Sequence, residues 1–244
     1  VGAGYATAGA NVAASMVAAW YIFSKENESL YCTRTGWNWN SDLMRRFLKF
    51  GFPSGLQWAL EGLAFTTFLI FVGRMPNGDA ALAASSIAVT VMLLAVLPPM
   101  GIAQAVSAYV GQYLGDDKPD EAEQVTWTGV QVTAIYIAVI AITFIGFPDF
   151  YISWFENSSD LEHWNQVANI TSGLLILVSI FVLFDSLNFN LSFALKGAGD
   201  TRFVTLVALT VPWPLMVLPT AFVVDNPNGV YWGWGFASIY IASL

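Results

Sequence analysis

The sequence predicts an all-α, polytopic transmembrane helix bundle. Of the 244 residues, 56% are hydrophobic and only 11% are charged, and the mean hydropathy is +0.59. A soluble domain of this size is much less apolar. The apolar residues are also gathered into runs of about 20 residues or more, the length that a helix needs to cross about 30 Å of hydrocarbon. The lipid bilayer is therefore the surrounding medium that the composition predicts.

Six apolar runs are long enough to cross a membrane, and a seventh begins near the end of the chain. The predicted helices cover approximately residues 1–23, 47–72, 80–113, 124–147, 167–196, 201–224 and 229–244. Strands of a membrane β-barrel alternate polar and apolar residues over about ten positions. Runs such as 133–147 and 173–184 show no such alternation, so the pattern favours helices.

The run 80–113 is longer than one perpendicular crossing requires. Pro98 and Pro99 lie in its middle, where a proline removes an amide donor and crowds the preceding turn. We expect one bent and tilted helix. Two separate helices are the alternative.

Lysine and arginine residues fall on alternate connections between the predicted helices. Eight of the nine basic residues lie in three of the connections, namely 24–46 with the adjoining Lys49, 114–123 and 196–202. The opposite set of connections contains only Arg74. Basic residues concentrate in cytoplasmic loops of membrane proteins. We therefore expect these three connections to be cytoplasmic and the helices to cross the inner membrane of a bacterial or archaeal cell.

Several other classes of protein are disfavoured. The net charge is −8 and no basic patch is present, so a nucleic-acid partner is not expected. Neither GxxxxGK[ST] nor HExxH occurs in the sequence, which argues against bound ATP as an energy source and against a zinc hydrolase. We expect neither an enzyme nor a resident organic cofactor.

Two acidic residues lie inside predicted helices, where a carboxylate is expensive to bury and usually faces a cavity or a partner. They are Glu61 and Asp185. Ser54 and Gln57 precede Glu61 by seven and four residues, spacings that place all three side chains on one helical face. This polar stripe makes Glu61 a candidate for cation binding or reversible protonation.

Asp185 begins a second polar stripe of the same kind, since Asn188 and Ser192 follow it by three and seven residues. Carboxylate and amide oxygens on neighbouring helices are suitable ligands for a hard cation such as Na⁺, and each carboxylate is also able to carry a proton. The alternative is that both acids only form hydrogen bonds between helices. We expect no lysine or arginine beside them, because the basic residues fall in the connections.

Short stretches along nearly the whole chain resemble the carboxyl-terminal half of the multidrug and toxic compound extrusion (MATE) family. They are residues 50–55 (FGFPSG) followed by Glu61, 80–84 (AALAA), 99–105 (PMGIAQA), 110–115 (VGQYLG), 195–201 (LKGAGDT) and 218–220 (LPT). Lys196 stands where that family more often has arginine, a change that keeps the charge and loses the planar fork.

The resemblance implies a transporter of twelve helices in two six-helix lobes. Residues 1–23 would then be its sixth helix, 24–46 the cytoplasmic loop between the lobes and 47–244 the carboxyl-terminal lobe, cut short in its last helix. The amino-terminal lobe would be a missing part of the same polypeptide. In such a transporter Glu61 and Asp185 would be associated with coupling to Na⁺ or H⁺.

We therefore predict a cation-coupled antiporter that exports lipophilic or cationic drugs and other toxic compounds. Phe65, Phe68, Gln57 and Asn188 are candidates for the substrate cavity. One alternative is a flippase for lipid-linked precursors, which would favour cationic residues inside the cavity to hold a pyrophosphate. The other is a membrane scaffold that transports nothing.

Overall fold

The computed structural model describes residues 2–36, 39–156 and 161–244. The chain divides into two compact units, Val1–Lys49 and Phe50–Leu244. Of the described residues, 87% are helical, and none of them lies in a strand. The predicted all-α fold class is confirmed.

The helices occur in the following order along the chain. They are α1 (Gly2–Ile22), α2 (Lys25–Tyr31), α3 (Ser41–Gly73), α4 (Gly78–Gly115), α5 (Pro119–Gly146), α6 (Pro148–Ile152), α7 (Leu161–Gly197), α8 (Thr201–Thr210), α9 (Leu218–Phe222) and α10 (Gly229–Ala242). A 3₁₀ turn, Ser153–Phe155, follows α6, and a π-helical turn, Trp213–Val217, lies between α8 and α9.

Within the described residues, five helical stretches have the length and apolar composition of a membrane span. They are α3, α4, α5, α7 and the stretch Thr201–Phe222. A sixth span is obtained only if α1 and α2 are counted together as one bent span. The angle between these two helices is 60°. α10 has 14 residues, fewer than the roughly 20 of a full span.

Three helices begin at least five residues earlier than the apolar runs predicted, and one of them is α7, which starts at Leu161 rather than at residue 167. α3 starts at Ser41 rather than at residue 47 because the Asn40 Oδ1 atom accepts hydrogen bonds from the amides of Asp42 (3.0 Å) and Leu43 (3.1 Å), as a helix N-cap does. α5 starts at Pro119 rather than at residue 124. A proline and two acids occupy its first turn, where both residue types are favoured.

The structure has one continuous helix, α4, where the sequence left one or two helices open. Pro98 and Pro99 lie inside it, and Pro99 is buried. α4 packs extensively against α7 and α5, and such packing allows a membrane helix to retain proline residues. The stretch Thr201–Phe222 is less regular, because Pro212 and Pro214 accompany its π-helical turn.

In the unit Val1–Lys49, part of the predicted loop 24–46 is folded around Glu28. Its carboxylate accepts hydrogen bonds from the Thr35 hydroxyl (2.9 Å) and the Arg34 backbone amide (2.5 Å). The Arg34 amide, followed by the hydroxyls of Thr35 and Thr33, holds the pKa of Glu28 below its usual value. Residues 37 and 38 of the predicted loop lie outside the described residues.

In the unit Phe50–Leu244, α7 is the central helix and packs against α4, α5 and α10. Small residues on α4, including Ala80, Ala84 and Ala88, are buried and permit close approach of the helix backbones. Trp234 of α10 is fully buried, and its indole nitrogen donates a hydrogen bond of 3.1 Å to the Ser85 hydroxyl. This packing brings α3, α7 and α10 together around a cavity.

Candidate functional site

A cavity of about 130 Å³ lies between α3, α7, α10 and the irregular stretch that follows α8. Both intramembrane acids face it. Its lining residues are Gln57, Trp58, Glu61, Ala64, Phe65, Phe181, Asp185, Asn188, Phe189, Ser192, Phe193, Lys196, Pro212, Met216, Tyr240 and Ile241. The two polar stripes on α3 and α7 therefore meet at one place, which is called the acidic cavity below.

Glu61 is half-buried, and its Oε1 atom accepts a hydrogen bond of 2.8 Å from the Gln57 Nε2 atom one turn earlier on α3. Gln57 is buried, and its own Oε1 atom has no hydrogen-bond partner among the described residues. A buried polar atom without a partner is unfavourable. Gln57 therefore supplies one free acceptor oxygen beside the Glu61 carboxylate.

Asp185 is half-buried on α7. Further along the same face, the Ser192 hydroxyl donates a hydrogen bond of 3.0 Å to the Asn188 Oδ1 atom. Asp185 on α7 and Glu61 on α3 line the same cavity. Two like charges in a site that is partly shielded from water favour the entry of a cation or a proton.

Lys196 also lines the acidic cavity, which corrects the expectation that no basic residue lies beside the acids. The sequence placed Lys196 at the boundary between the helix 167–196 and the connection 196–202, and the structure has it in the last turn of α7, which ends at Gly197. Its Nζ atom lies 4.7 Å from the centre of the Phe193 ring, and the ammonium attracts the Glu61 carboxylate. Packing between helices, which hydropathy does not register, therefore decides the surroundings of Lys196.

Aromatic side chains form much of the cavity wall, and most of them were not singled out from the sequence. Trp58 stacks on Phe189 with ring centres 6.4 Å apart. Phe181 and Phe189 lie four residues on either side of Asp185, so the spacing that identified Asn188 also points to them. Tyr240 and Met216 come from distant parts of the chain, and no local pattern indicated them.

Two candidates from the sequence do not line the acidic cavity. Phe68 is fully buried in the hydrophobic core, where its ring meets that of Trp234 edge to face at 5.7 Å. Ser54 is half-buried but is not among the residues that line the cavity. The remaining candidates, Phe65, Gln57, Asn188 and Ser192, do line it together with the two acids.

The polar side chains of the cavity carry carboxylate, amide and hydroxyl groups. The residues that supply these groups are Glu61, Asp185, Gln57, Asn188 and Ser192, which all line the same cavity, and hard cations prefer oxygen ligands. The described residues contain no cluster of three or more His, Cys, Asp or Glu side chains.

Fold and site together define a class: a polytopic α-helical membrane protein with a carboxylate-bearing cavity between its helices. The chain belongs to the MatE family, whose family model matches residues 53–221. The resemblance read from the short sequence stretches is confirmed.

Curated relatives agree with this membership. The chain is 29% identical to the probable multidrug resistance protein NorM of Pseudomonas aeruginosa, over 78% of this chain and 39% of that protein. It is 25% identical to the multidrug resistance protein MdtK of Yersinia pseudotuberculosis, over 100% of this chain and 52% of that protein. The chain thus spans about half the length of MdtK and less of NorM.

Solved structures show the same fold. A crystal structure of a MATE protein in complex with MaL6 superposes with a TM-score of 0.84 at 16% sequence identity, over 98% of this chain and 52% of that one. An outward-facing MATE family transporter of the MOP superfamily gives a TM-score of 0.75, also at 16% identity, over 98% of this chain and 53% of that one. The described helices therefore match one half of each of these larger structures.

Proposed function

We propose that this chain forms the carboxyl-terminal lobe of a cation-coupled antiporter that exports lipophilic or cationic compounds across the cytoplasmic membrane. The observation that carries the proposal is the meeting of Glu61 and Asp185 in one half-buried cavity. The relatives named as multidrug resistance proteins support drugs and other toxic compounds as the cargo. In the same proposal, residues 1–23 are the sixth helix, 24–46 is a cytoplasmic connection between lobes, and an amino-terminal lobe completes the transporter.

Coupling requires that the ion and the cargo prefer different conformations of the bundle. Na⁺ or H⁺ at Glu61 and Asp185 would relieve the repulsion between the two carboxylates. The mixed apolar and acidic lining, with Trp58, Phe65 and Phe189 beside the acids, suits an organic cation with an apolar body, because aromatic faces attract cations. Ion and cargo would then compete for the same negative charge, which is a direct physical route to exchange.

The test uses the full-length protein that carries this sequence, reconstituted in proteoliposomes. Efflux of a fluorescent organic cation is followed under an imposed Na⁺ or proton gradient, for the wild type, Glu61→Gln and Asp185→Asn. Each amide variant keeps the shape of the side chain and removes its charge. We expect gradient-driven efflux to fall at least tenfold in both variants, while the gradient that drives the wild type identifies the coupling ion.

Glu162→Gln is the matched control, since Glu162 is exposed in the first turn of α7, outside the cavity. Wild-type rates in all three variants would remove the basis for coupled antiport through these carboxylates. They would favour a scaffold in which both acids only stabilise the packing of helices.

A flippase for lipid-linked precursors is a second candidate, because Lys196 provides the cavity with a cationic group. A pyrophosphate entering the cavity would nevertheless meet the two carboxylates of Glu61 and Asp185, whose charge outweighs that of Lys196. The antiporter is therefore the better-supported function. Translocation of a fluorescent pyrophosphate-linked lipid in the same vesicles, without export of the organic cation, would reverse this preference.

A further inference from the structure

The three charged groups of the acidic cavity are not equivalent. Glu61 lines the cavity from α3, whereas Asp185 and Lys196 line it from α7. Lys196 follows Asp185 by eleven residues on α7, which is about three turns and about 16 Å along the helix axis. Both residues therefore lie on one face of α7, at different depths, with Glu61 opposite them on α3.

Lys196 is placed so that its ammonium is able to reach the cavity. Side chains on a helix point back toward its amino terminus, and for Lys196 this direction leads along α7 toward Asp185. The Nζ atom follows it, since it lies 4.7 Å from the centre of the Phe193 ring on the preceding turn. Lys196 is half-buried, and four rotatable bonds give its ammonium a wide range of positions.

We propose, on the basis of the function proposed above, that Lys196 is a tethered cation that competes with the coupling cation for Glu61. A cation that enters the cavity must displace the ammonium from the field of the Glu61 carboxylate. The Phe193 ring provides a position where the displaced ammonium is still stabilised, through its interaction with the aromatic face. Release of the coupling cation then leaves Glu61 with a counter-charge that belongs to the protein itself.

Such competition lowers the affinity for the coupling cation and thereby helps the cavity to empty. A site that binds its ion too tightly does not release it, and transport slows. Asp185 interacts with Glu61 but lies deeper along α7 than Lys196, so the effect of Lys196 is directed at Glu61. Lys196 therefore acts on the strength and specificity of cation binding without being a ligand of the cation.

The experiment measures the Na⁺ concentration that gives half-maximal efflux, in the full-length protein with Lys196→Gln and Lys196→Arg. We expect Lys196→Gln to lower this concentration about fivefold, the lower end of the range for coupled sites. Lys196→Arg keeps the charge and should stay near the wild-type value. Lys118→Gln is the control, because it makes the same chemical change at an exposed lysine outside the cavity.

If protons drive the wild type, the pH of half-maximal efflux replaces the Na⁺ titration. The titratable or charged groups that face the cavity are Glu61 on α3, Asp185 and Lys196 on α7, and Tyr240 on α10. Loss of the positive charge favours protonated carboxylates. The pH of half-maximal efflux should therefore rise in Lys196→Gln and stay near the wild-type value in Lys196→Arg.

A second readout does not depend on transport. Na⁺ that binds the folded protein raises its thermal unfolding midpoint, and N-methyl-D-glucamine at the same ionic strength serves as the reference. In Lys196→Gln the Na⁺ concentration that gives half of this rise should fall about fivefold. When Lys196→Gln is combined with Glu61→Gln, the substitution at Lys196 should not change the Na⁺ dependence of the unfolding midpoint. A proton-driven protein is tested in the same way, with the pH dependence of the unfolding midpoint.

The outcomes separate this inference from the proposed function. If Glu61→Gln and Asp185→Asn abolish coupled efflux while Lys196→Gln leaves the cation dependence unchanged or weakens cation binding, then Lys196 is no competitor and only this inference fails. If the two acidic residues prove dispensable for efflux, then the proposed function fails and this inference fails with it.

Discussion

Asn190 joins two membrane helices through a side chain that is fully buried. Its Nδ2 atom donates hydrogen bonds to the Thr133 hydroxyl on α5 (2.9 Å) and to the Ser186 carbonyl on α7 (3.1 Å). All three residues are fully buried. The Asn190 Oδ1 and Ser186 Oγ atoms have no hydrogen-bond partner among the described residues. The polar contact of these three residues between α5 and α7 therefore depends on the hydrogen bond from Asn190 to Thr133.

Thr133→Val tests this bond, because valine keeps the shape of threonine and removes the acceptor. The Asn190 amide would then retain only its bond within α7. We expect the free energy of unfolding to fall by about 1 kcal/mol, the magnitude of a hydrogen bond between membrane helices. The measurement is the thermal or denaturant unfolding midpoint in detergent micelles.

Thr128→Val is the control on the same helix. Thr128 is exposed, and its hydroxyl donates to the Gln124 carbonyl of its own helix. Equal unfolding midpoints in Thr133→Val and Thr128→Val would mean that the bond to Asn190 adds nothing to the contact between α5 and α7.

At the scale of the helices, α4 and α7 lie in close contact where α7 ends. A Cβ atom on Gly197 would lie 2.3 Å from the carbonyl oxygen of Ser107 on α4, and one on Gly111 would lie 3.3 Å from the carbonyl oxygen of Gly197. No larger residue fits at Gly197 without a shift of the backbone. The turn then continues through Gly199, whose φ of +92° suits glycine, to Asp200, which caps α8 by accepting the Phe203 amide.

We expect Gly197→Ala to destabilise the bundle by about 1–3 kcal/mol, the usual range for overpacking. The added methyl group meets backbone atoms, which have little freedom to move, so α7 must shift away from α4. Because Lys196 is the preceding residue, the same shift should change the cavity. Thermal unfolding in detergent gives the first effect, and the Na⁺ or proton dependence of efflux gives the second.

Gly115→Ala serves as the comparison. Gly115 also ends a long helix, α4, and an added Cβ would meet no atom within 4 Å. A midpoint for Gly197→Ala no lower than that for Gly115→Ala would show that α4 and α7 separate easily at this point.

At the scale of the whole molecule, the distribution of basic residues predicts the orientation in the membrane. Connection 24–46 should face the cytoplasm, and it contains Cys32, the single cysteine of the chain. Cys32 is exposed and follows α2 in a left-handed conformation with φ 51°. This cysteine therefore offers a natural probe of sidedness.

A sulfonated maleimide that does not cross membranes should label Cys32 in inverted membrane vesicles and not in intact spheroplasts. Cysteines elsewhere in the full-length protein are first replaced by serine, and a Cys32→Ser variant gives the background. A single cysteine introduced by Asp79→Cys in the Cys32→Ser protein tests the opposite side, since Asp79 is exposed at the start of α4. Labelling of Cys32 in intact spheroplasts would invert the proposed topology.

The fold class and the positions of most membrane helices follow from local properties of the sequence. Apolar runs long enough to cross the hydrocarbon layer persist whatever lies beside them, and the acids Glu61 and Asp185 are conspicuous because such runs exclude charge. Helix starts are less predictable, since Asn40 and Pro119 begin α3 and α5 through capping and backbone geometry that hydropathy does not register. The family membership also rests on short ordered motifs that the sequence carries by itself.

Local sequence patterns are sufficient to identify a helical membrane protein with two carboxylates inside its helices. Only the tertiary structure decided that both carboxylates share one cavity, that Lys196 joins them there and that Phe68 belongs to the core beside Trp234 instead. The physical reason is that periodicity fixes which side chains share a face of one helix. Which faces of different helices meet depends on how residues far apart in the chain, such as Gly197 and Ser107, pack against one another.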